Sequence, residues 1–280
     1  MLTSFAELLS SRRAGSAVGA FTCYDLEAAE AALGAARSAD VGVILLIGGT
    51  SYTEPGGGLL LAALVGAAAA ADVRVCVQLD HCDDLAVIES ALAGGAGAVM
   101  ADGSELPYDE NIEFVGRAAG LARRHGAGVE AELGHLSGDE DVAVAVAAGA
   151  LTDPAEAADF VDRTGADCLA VSIGNVHGAY RGPPSLDWDR LEAIRATVPA
   201  PLSLHGASGI PDEMVRRSIA TGVAKINVNT ELRSAYLEAT SEALPAAMDG
   251  SRLNALHSAQ SAAVERVVAA KLRAFEAGPA

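Results

Sequence analysis

VRVCVQLDHCDDLAVIESALAGGAGAVMADGS, residues 73–104, holds one structural repeat and decides the fold. It opens on a strand-length apolar run (73–80) without polar alternation, as expected of a parallel strand buried on both faces. DDLAVIESALAGG then has helical spacing, and AGAVMAD (96–102) is a second strand-length run. Working outward, the unit recurs. Further runs stand at 17–23, 41–48, 126–134, 167–174, 201–206 and 225–230, making eight. Helical segments such as LEAAEAALGAARSA and PAEAADFVDRTG separate them. Eight strand–helix repeats without a break in composition predict an α/β protein, a single (β/α)8 TIM barrel over residues 1–280. Residues from about 245 to 280 read as a C-terminal helical extension, a cap or a subunit contact. An open doubly wound sheet is the alternative, but it would carry fewer strands and a glycine-rich first turn, which 17–23 lacks.

The chain has 19 Lys and Arg against 37 Asp and Glu, a formal net charge of −18. Nucleic acid and anionic membranes need clustered cations, so neither is an expected partner. A phosphorylated small molecule stays open, because a metal ion and backbone N–H groups can bind a phosphate locally. Cys23, Cys76, Cys82 and Cys168 stand singly and read as reduced thiols in the core or near the site. MLTSFAELLSSRRAG lacks the pattern of a signal peptide. LLLAALVGAAAAA (59–71) is shorter than the ~20 residues of a membrane span and reads as a buried helix. The expected location is the cytoplasm.

Polar residues gather at the strand exits. The third strand ends in Asp80 and His81, the fourth in Asp102, Gly103 and Ser104, and the fifth carries Glu130 and Glu132. His177 and Gly178 follow the sixth, His205 and Gly206 the seventh, and Asn227, Asn229 and Thr230 close the eighth. In a parallel barrel these exits converge on one face. Three of the six histidines therefore meet there, and three imidazoles with one open position suit a catalytic zinc. Asp102 and Glu132 can orient the imidazoles or bind the metal in another state. Asp80 is placed for proton transfer. His125 at a helix end, His257 in the C-terminal helix and His135 in a loop read as structural, and Cys82 as a helix-start residue packing behind the site.

HGAYRG (177–182), HGASG (205–209) and NVNT (227–230) predict a phosphate cup. Its members would be Gly178, Gly206, Ala207, Ser208, Asn227, Val228, Asn229 and Thr230, with Arg181 as a nearby cation. The acidic stretch GHLSGDEDVAVAVAAGALTDP (134–154) reads as a site loop. The chain has two lysines: Lys271 in the tail, and Lys225 opening the eighth strand at the end away from the site. Neither is expected to form a Schiff base.

LDH, VMADGS, VEAELGHLSGDED, LAVSIGNVHGAYRG, LSLHGASGI and KINVNTEL, in this order and spacing, resemble the class II zinc-dependent ketose-bisphosphate aldolases. The group includes fructose- and tagatose-bisphosphate aldolases. The resemblance runs from AFTCYDLEAAEAA to the helix after the eighth strand. It implies zinc on His81, His177 and His205, with Glu132 near the metal and Asp102 as an acid behind it. It implies Asp80 as the acid/base at the cleaved bond and Glu140 as the acid that moves the proton at the nucleophilic carbon. The cup residues would hold dihydroxyacetone phosphate, with a monovalent cation, Na+ or K+, near its phosphate. The expected reaction is reversible cleavage of a ketose phosphate, foremost fructose-1,6-bisphosphate to glyceraldehyde 3-phosphate. Tagatose-bisphosphate and a phosphorylated deoxy-ketogluconate are the alternatives. The expected assembly is a homodimer or homotetramer.

Thr22 stands where the family usually has Asn, Asn229 where Asp or Ala is usual, Arg181 where Lys is common, and Ser137 replaces a loop glycine. GGTSYTEPGGGLL after the second strand and the tail also depart from the family pattern, which bears on the distal end of the substrate. A phosphosugar epimerase would need two opposed acids across one carbon. An amidohydrolase would show His-x-His on its first strand, where AFTCYD has none. A non-catalytic scaffold would not need the complete ligand set.

Overall fold

The computed structural model describes residues 1–136, 149–178, 180 and 182–276. After a short helix α1 (Phe5–Ser10), eight parallel strands close on themselves in chain order. They are β1 (Val18–Thr22), β2 (Val43–Gly48), β3 (Val75–Cys82), β4 (Ala98–Ala101), β5 (Gly128–Leu133), β6 (Cys168–Val171), β7 (Leu202–Leu204) and β8 (Val223–Val228). Closure comes from β8 against β1, with Val18 opposite Lys225 and Phe21 opposite Val228. Around the strands run α2 (Leu26–Ala39), α3 (Gly49–Thr53), α4 (Gly57–Ala70), α5 (Leu85–Ala93), α6 (Tyr108–His125) and α7 (Pro154–Thr164). The ring continues through α8 (Trp188–Thr197), α9 (Asp212–Thr221), α10 (Thr230–Met248) and α11 (Leu253–Glu276). The predicted (β/α)8 barrel with a C-terminal helix is what forms.

Local chemistry starts the helices. Asp25, Asp84, Asp153 and Asp187 each accept a backbone N–H at the N-terminus of the helix that follows. Such caps satisfy donors that the helix itself leaves open.

Alternate residues of each strand point into the lumen. Low in the barrel these are apolar: Val18, Ala20, Ile44, Leu46, Cys76, Ala98 and Cys168 form one cluster with Phe5, Leu8 and Leu9 of α1. The helix therefore plugs the N-terminal end of the barrel. Gly128 makes room for it, because a Cβ there would lie 2.7 Å from the Phe5 ring. Higher in the lumen the inward residues turn polar, with Gln78, Glu130, Ser203 and Lys225 all buried. The apolar base excludes water, and the polar layer above it carries the site.

The chain ends in α11, which packs over α2 and α10 and buries Val268, Leu272 and Phe275. Arg13 and Glu276 pair at 2.9 Å beside it. Phe275→Ala is expected to lower the unfolding free energy by about 3–5 kcal/mol, the usual cost of emptying a buried aromatic site. Urea denaturation of the two proteins measures it.

Four expectations change. Residues 59–71 are not a buried helix: α4 buries only Gly57, Leu61, Leu64 and Ala68, and Leu59 is 79% exposed. Seven of the thirteen residues at 59–71 are alanines, which cost little when exposed. The third strand runs on through His81 to Cys82, past the predicted end at residue 80. The eighth strand begins at Val223 and stops at Val228, so Thr230 starts α10 instead of ending a strand. Helix α10 carries through Pro245 to Met248, so the break before the last helix falls at 249–252 rather than near 245. All four cysteines are free and buried, in keeping with reduced thiols. Among the described residues no helix is long and apolar enough to cross a membrane.

Candidate active site

The register between β3 and β4 shifts between Leu79 and Cys82, and His81 sits in this bulge with φ of 43°. Positive φ is strained for a non-glycine residue, and such strain collects at functional sites. Here it sends Asp80 and His81, neighbours in sequence, to different partners. Asp80 is buried, and both its carboxylate oxygens accept from Asn227 Nδ2, at 3.2 and 3.1 Å. His81 Nδ1 faces Asp102 Oδ2 at 2.6 Å.

The rings of His81, His177 and His205 gather at the barrel mouth, with centroids 4.8, 5.0 and 6.2 Å apart. His205 is fully buried, and its Nε2 lies 2.8 Å from Glu130 Oε1. Each carboxylate fixes a tautomer: Nδ1–H of His81 donates to Asp102, and Nε2–H of His205 donates to Glu130. The remaining nitrogens, His81 Nε2 and His205 Nδ1, then face each other at 3.0 Å with lone pairs. Two lone pairs at this distance repel unless a proton or a metal ion is shared between them.

Ligand atoms of His81, His177 and His205 lie within 4.8 Å of one another, and so do those of His81, Asp102 and Glu132. The five residues expected at a metal thus form two groups that share His81. Glu132 fits the same reading. Its Oε1 accepts from Leu136 N–H at 3.1 Å, while its buried Oε2 has no hydrogen-bond partner among the described residues. Burial, reinforced by Asp102, pushes the Glu132 carboxyl well above its usual range, a cost that a cation would relieve. Asp102 goes the other way: burial opposes its charge, but His81 and Ser104 outweigh it and hold the carboxyl below its usual range. This donor set suits a zinc ion with an open position. Cys82 is not in either group; burial pushes its thiol up to about 11, and its Sγ lies 3.5 Å from Asp84 O.

His81, Asp102, Glu132, His177 and Asp80 line a cleft of about 600 Å³, while His205 is fully buried and does not reach its wall. The residues of the expected phosphate cup stand beside it. Gly178, Ser208 and Thr230 line a neighbouring cleft of about 590 Å³, Asn229 lines the first cleft, and Ala207 and Asn227 are buried. A Cβ on Gly206 would lie 2.1 Å from Val176 O, so only glycine lets the loops after β6 and β7 come this close. Thr230 begins the 19-residue α10, whose N-terminus offers N–H groups and a positive dipole end. The Val228 side chain belongs to the apolar shell outside the barrel, which leaves only its main chain for the cup. Glu140 and Arg181, and with them Ser137, lie outside the described residues.

Several contributors escape a reading of strand ends. Asn175 pins the loop carrying His177, donating to Val171 O at 3.2 Å and His205 O at 3.0 Å. Tyr24 donates to Asn229 Oδ1 at 3.0 Å. His135, expected to be structural, lines the cleft 3.4 Å from Ser104 Oγ. Lys271 is not distant: it pairs with Glu231 at 2.7 Å, and Glu231 accepts the Gly209 N–H at 2.8 Å beside the cup. Lys225 is not at the far end either. It lies fully buried in the lumen, with its ammonium 2.7 Å from Glu130 Oε2. Burial works against that charge, but Glu130 and then Asp80 raise the ammonium above its ordinary range.

The family model for class II fructose-bisphosphate aldolase matches residues 4–278. The D-tagatose-1,6-bisphosphate aldolase subunit GatY of Klebsiella oxytoca is 42% identical over 235 residues, 83% of this chain and 82% of that protein. Among solved structures, the YdjI aldolase of Escherichia coli K12 superposes with a TM-score of 0.86 at 30% identity, over 99% of this chain and 98% of that one. A putative fructose-1,6-bisphosphate aldolase of Coccidioides immitis gives 0.86 at 29% identity, over 97% and 96%. The fructose-bisphosphate aldolase of Campylobacter jejuni, at 19% identity and a TM-score of 0.80, shares the fold. The chain belongs to the class II fructose-bisphosphate aldolase family, whose members are in general zinc-dependent lyases.

Proposed function

We propose that this chain is a zinc aldolase that reversibly cleaves a ketohexose 1,6-bisphosphate into dihydroxyacetone phosphate and glyceraldehyde 3-phosphate. The observation that carries the reading is the convergence of His81, His177 and His205 on one point, with Asp80 beside them. His81, His177 and His205 would hold the metal, and Asp102 and Glu132 would orient those imidazoles or bind the ion in another state. Zinc, when bound, supplies a Lewis acid that stabilises negative charge developing on the substrate's ketone oxygen.

The chain's own groups do the rest. Asp80, held by Asn227, takes the proton of the hydroxyl at the cleaved bond and returns it in condensation. Glu140 moves the proton at the nucleophilic carbon. Backbone N–H groups from Gly178, Gly206, Ala207 and Ser208 and from Asn227 to Thr230 bind the phosphate of the three-carbon ketone, with Arg181 adding charge. That reading is supported by the N-terminus of α10 beside the cup. A monovalent cation, Na+ or K+, beside the phosphate rests on the family resemblance alone. A homodimer or homotetramer likewise rests on the family resemblance.

The family resemblance puts fructose-1,6-bisphosphate first, whereas the 42% identical relative favours the tagatose epimer. Both are to be assayed, with release of dihydroxyacetone phosphate followed by a coupled reduction. Chelation is expected to remove more than nine-tenths of the activity, and added zinc to restore it. Full activity in metal-free protein would end the zinc reading, and no cleavage of either sugar would end the proposed substrate class.

A further inference from the structure

Lys225 stands third in β8, in the polar layer below the three histidines, and no part of it reaches solvent. Its ammonium donates to Glu130 Oε2 at 2.7 Å and to Asn227 Oδ1. Gln78 Nε2 shares that Glu130 oxygen at 2.6 Å. Each acceptor turns its other end to the site. Glu130 Oε1 takes the N–H of His205, 2.8 Å away. Asn227 Nδ2 donates to both oxygens of Asp80 and lies 3.5 Å from His205 Nδ1. One buried ammonium is thus the branch point of two chains of hydrogen bonds. One chain ends on the expected metal ligand, the other on the expected acid/base.

We propose that Lys225 is a positioning residue that sets, from below, both the imidazole of His205 and the carboxylate of Asp80. A lysine ammonium has donors only. It therefore forces the Asn227 carboxamide to present Oδ1 downward and its NH2 group upward to Asp80. With an apolar residue at 225 the amide is free to turn, and its oxygen would meet the Asp80 carboxylate with like polarity. On the other arm the ammonium balances Glu130, a carboxylate fully buried in the lumen. That balance keeps Glu130 as the acceptor that turns His205 Nδ1 toward the metal. Lys225 has this role only if the site is the zinc aldolase centre proposed above.

The test is Lys225→Met, which keeps the chain's length and removes its donors. Because the variant leaves Glu130 without its counter-charge, Lys225→Met/Glu130→Gln is made beside it; the amide still accepts from His205. Zinc affinity is read by competition with a chromophoric chelator, and kcat and KM are then taken at saturating zinc. The expected result is zinc affinity weakened by about 10–100-fold, the usual effect of disturbing a group that orients a ligand. At saturating zinc, kcat is expected to fall about 10-fold or more while KM stays within about threefold, because only the proton-handling arm is displaced. Wild-type zinc affinity or wild-type kcat in a folded variant overturns the branch-point role. Failure of both variants to fold assigns Lys225 to stability alone and overturns it as well. A wild-type protein that neither binds zinc nor cleaves a ketose phosphate would instead overturn the functional reading.

Discussion

His205→Ala is expected to lower cleavage by more than ~10³-fold, beyond the loss from deleting a single stabilising donor. It is expected to leave the purified protein with little zinc. His205 is the most enclosed of the three imidazoles, and Glu130 fixes its orientation at 2.8 Å. Removing it breaks the three-histidine group, leaving His81 and His177 without their third imidazole and the group of His81, Asp102 and Glu132 as the one complete set among the described residues. The fold should persist, because Glu130 keeps Lys225 and Gln78 as partners. Metal content by atomic emission, beside the coupled assay, checks both halves. A variant with one zinc per chain and normal turnover would show that the metal sits elsewhere.

Asp80→Ala separates proton transfer from metal binding. Asp80 is in neither metal group, so zinc content should remain near that of the parent. Turnover should fall by about 10²–10⁴-fold, the usual worth of a positioned acid/base. The variant leaves the Asn227 amide facing the site without its acceptor, so part of the loss is misplacement of that amide. Asp80→Asn keeps the shape and should lose nearly as much, because an amide cannot take the proton. A zinc-loaded Asp80→Ala protein with near-normal turnover would remove Asp80 from the mechanism.

The barrel was legible because its strands are buried on both faces and read as unbroken apolar runs. The metal-type residues were legible for a related reason: His81, Asp102, Glu132, His177 and His205 mark the places where such runs stop. Boundaries were less so. The bulge at His81 carries β3 two residues further, and no propensity signals a bulge. Lys225 was misplaced because the eighth run was started at the lysine itself, whereas Val223 and Ala224 belong to the strand. That shift of two residues moves a side chain from the rim of the barrel to its middle layer. Tyr24 with Asn229, and Asn175 with His205, join segments distant in the chain, and single-sequence periodicity carries no information about such pairs.

The pairing of β8 with β1 also governs how the protein comes into being. During synthesis β1 emerges early and waits with an open edge until Val223–Val228 has been made. Long-range pairing of this kind slows folding. Exposed strand edges meanwhile invite contacts with other nascent chains. Asn227, which holds Asp80, and Lys225, beneath His205, arrive on that same last strand. A ribosome-bound chain that has already exposed all three histidines therefore still lacks the supports that aim them, and release of a competent enzyme waits on the final strand.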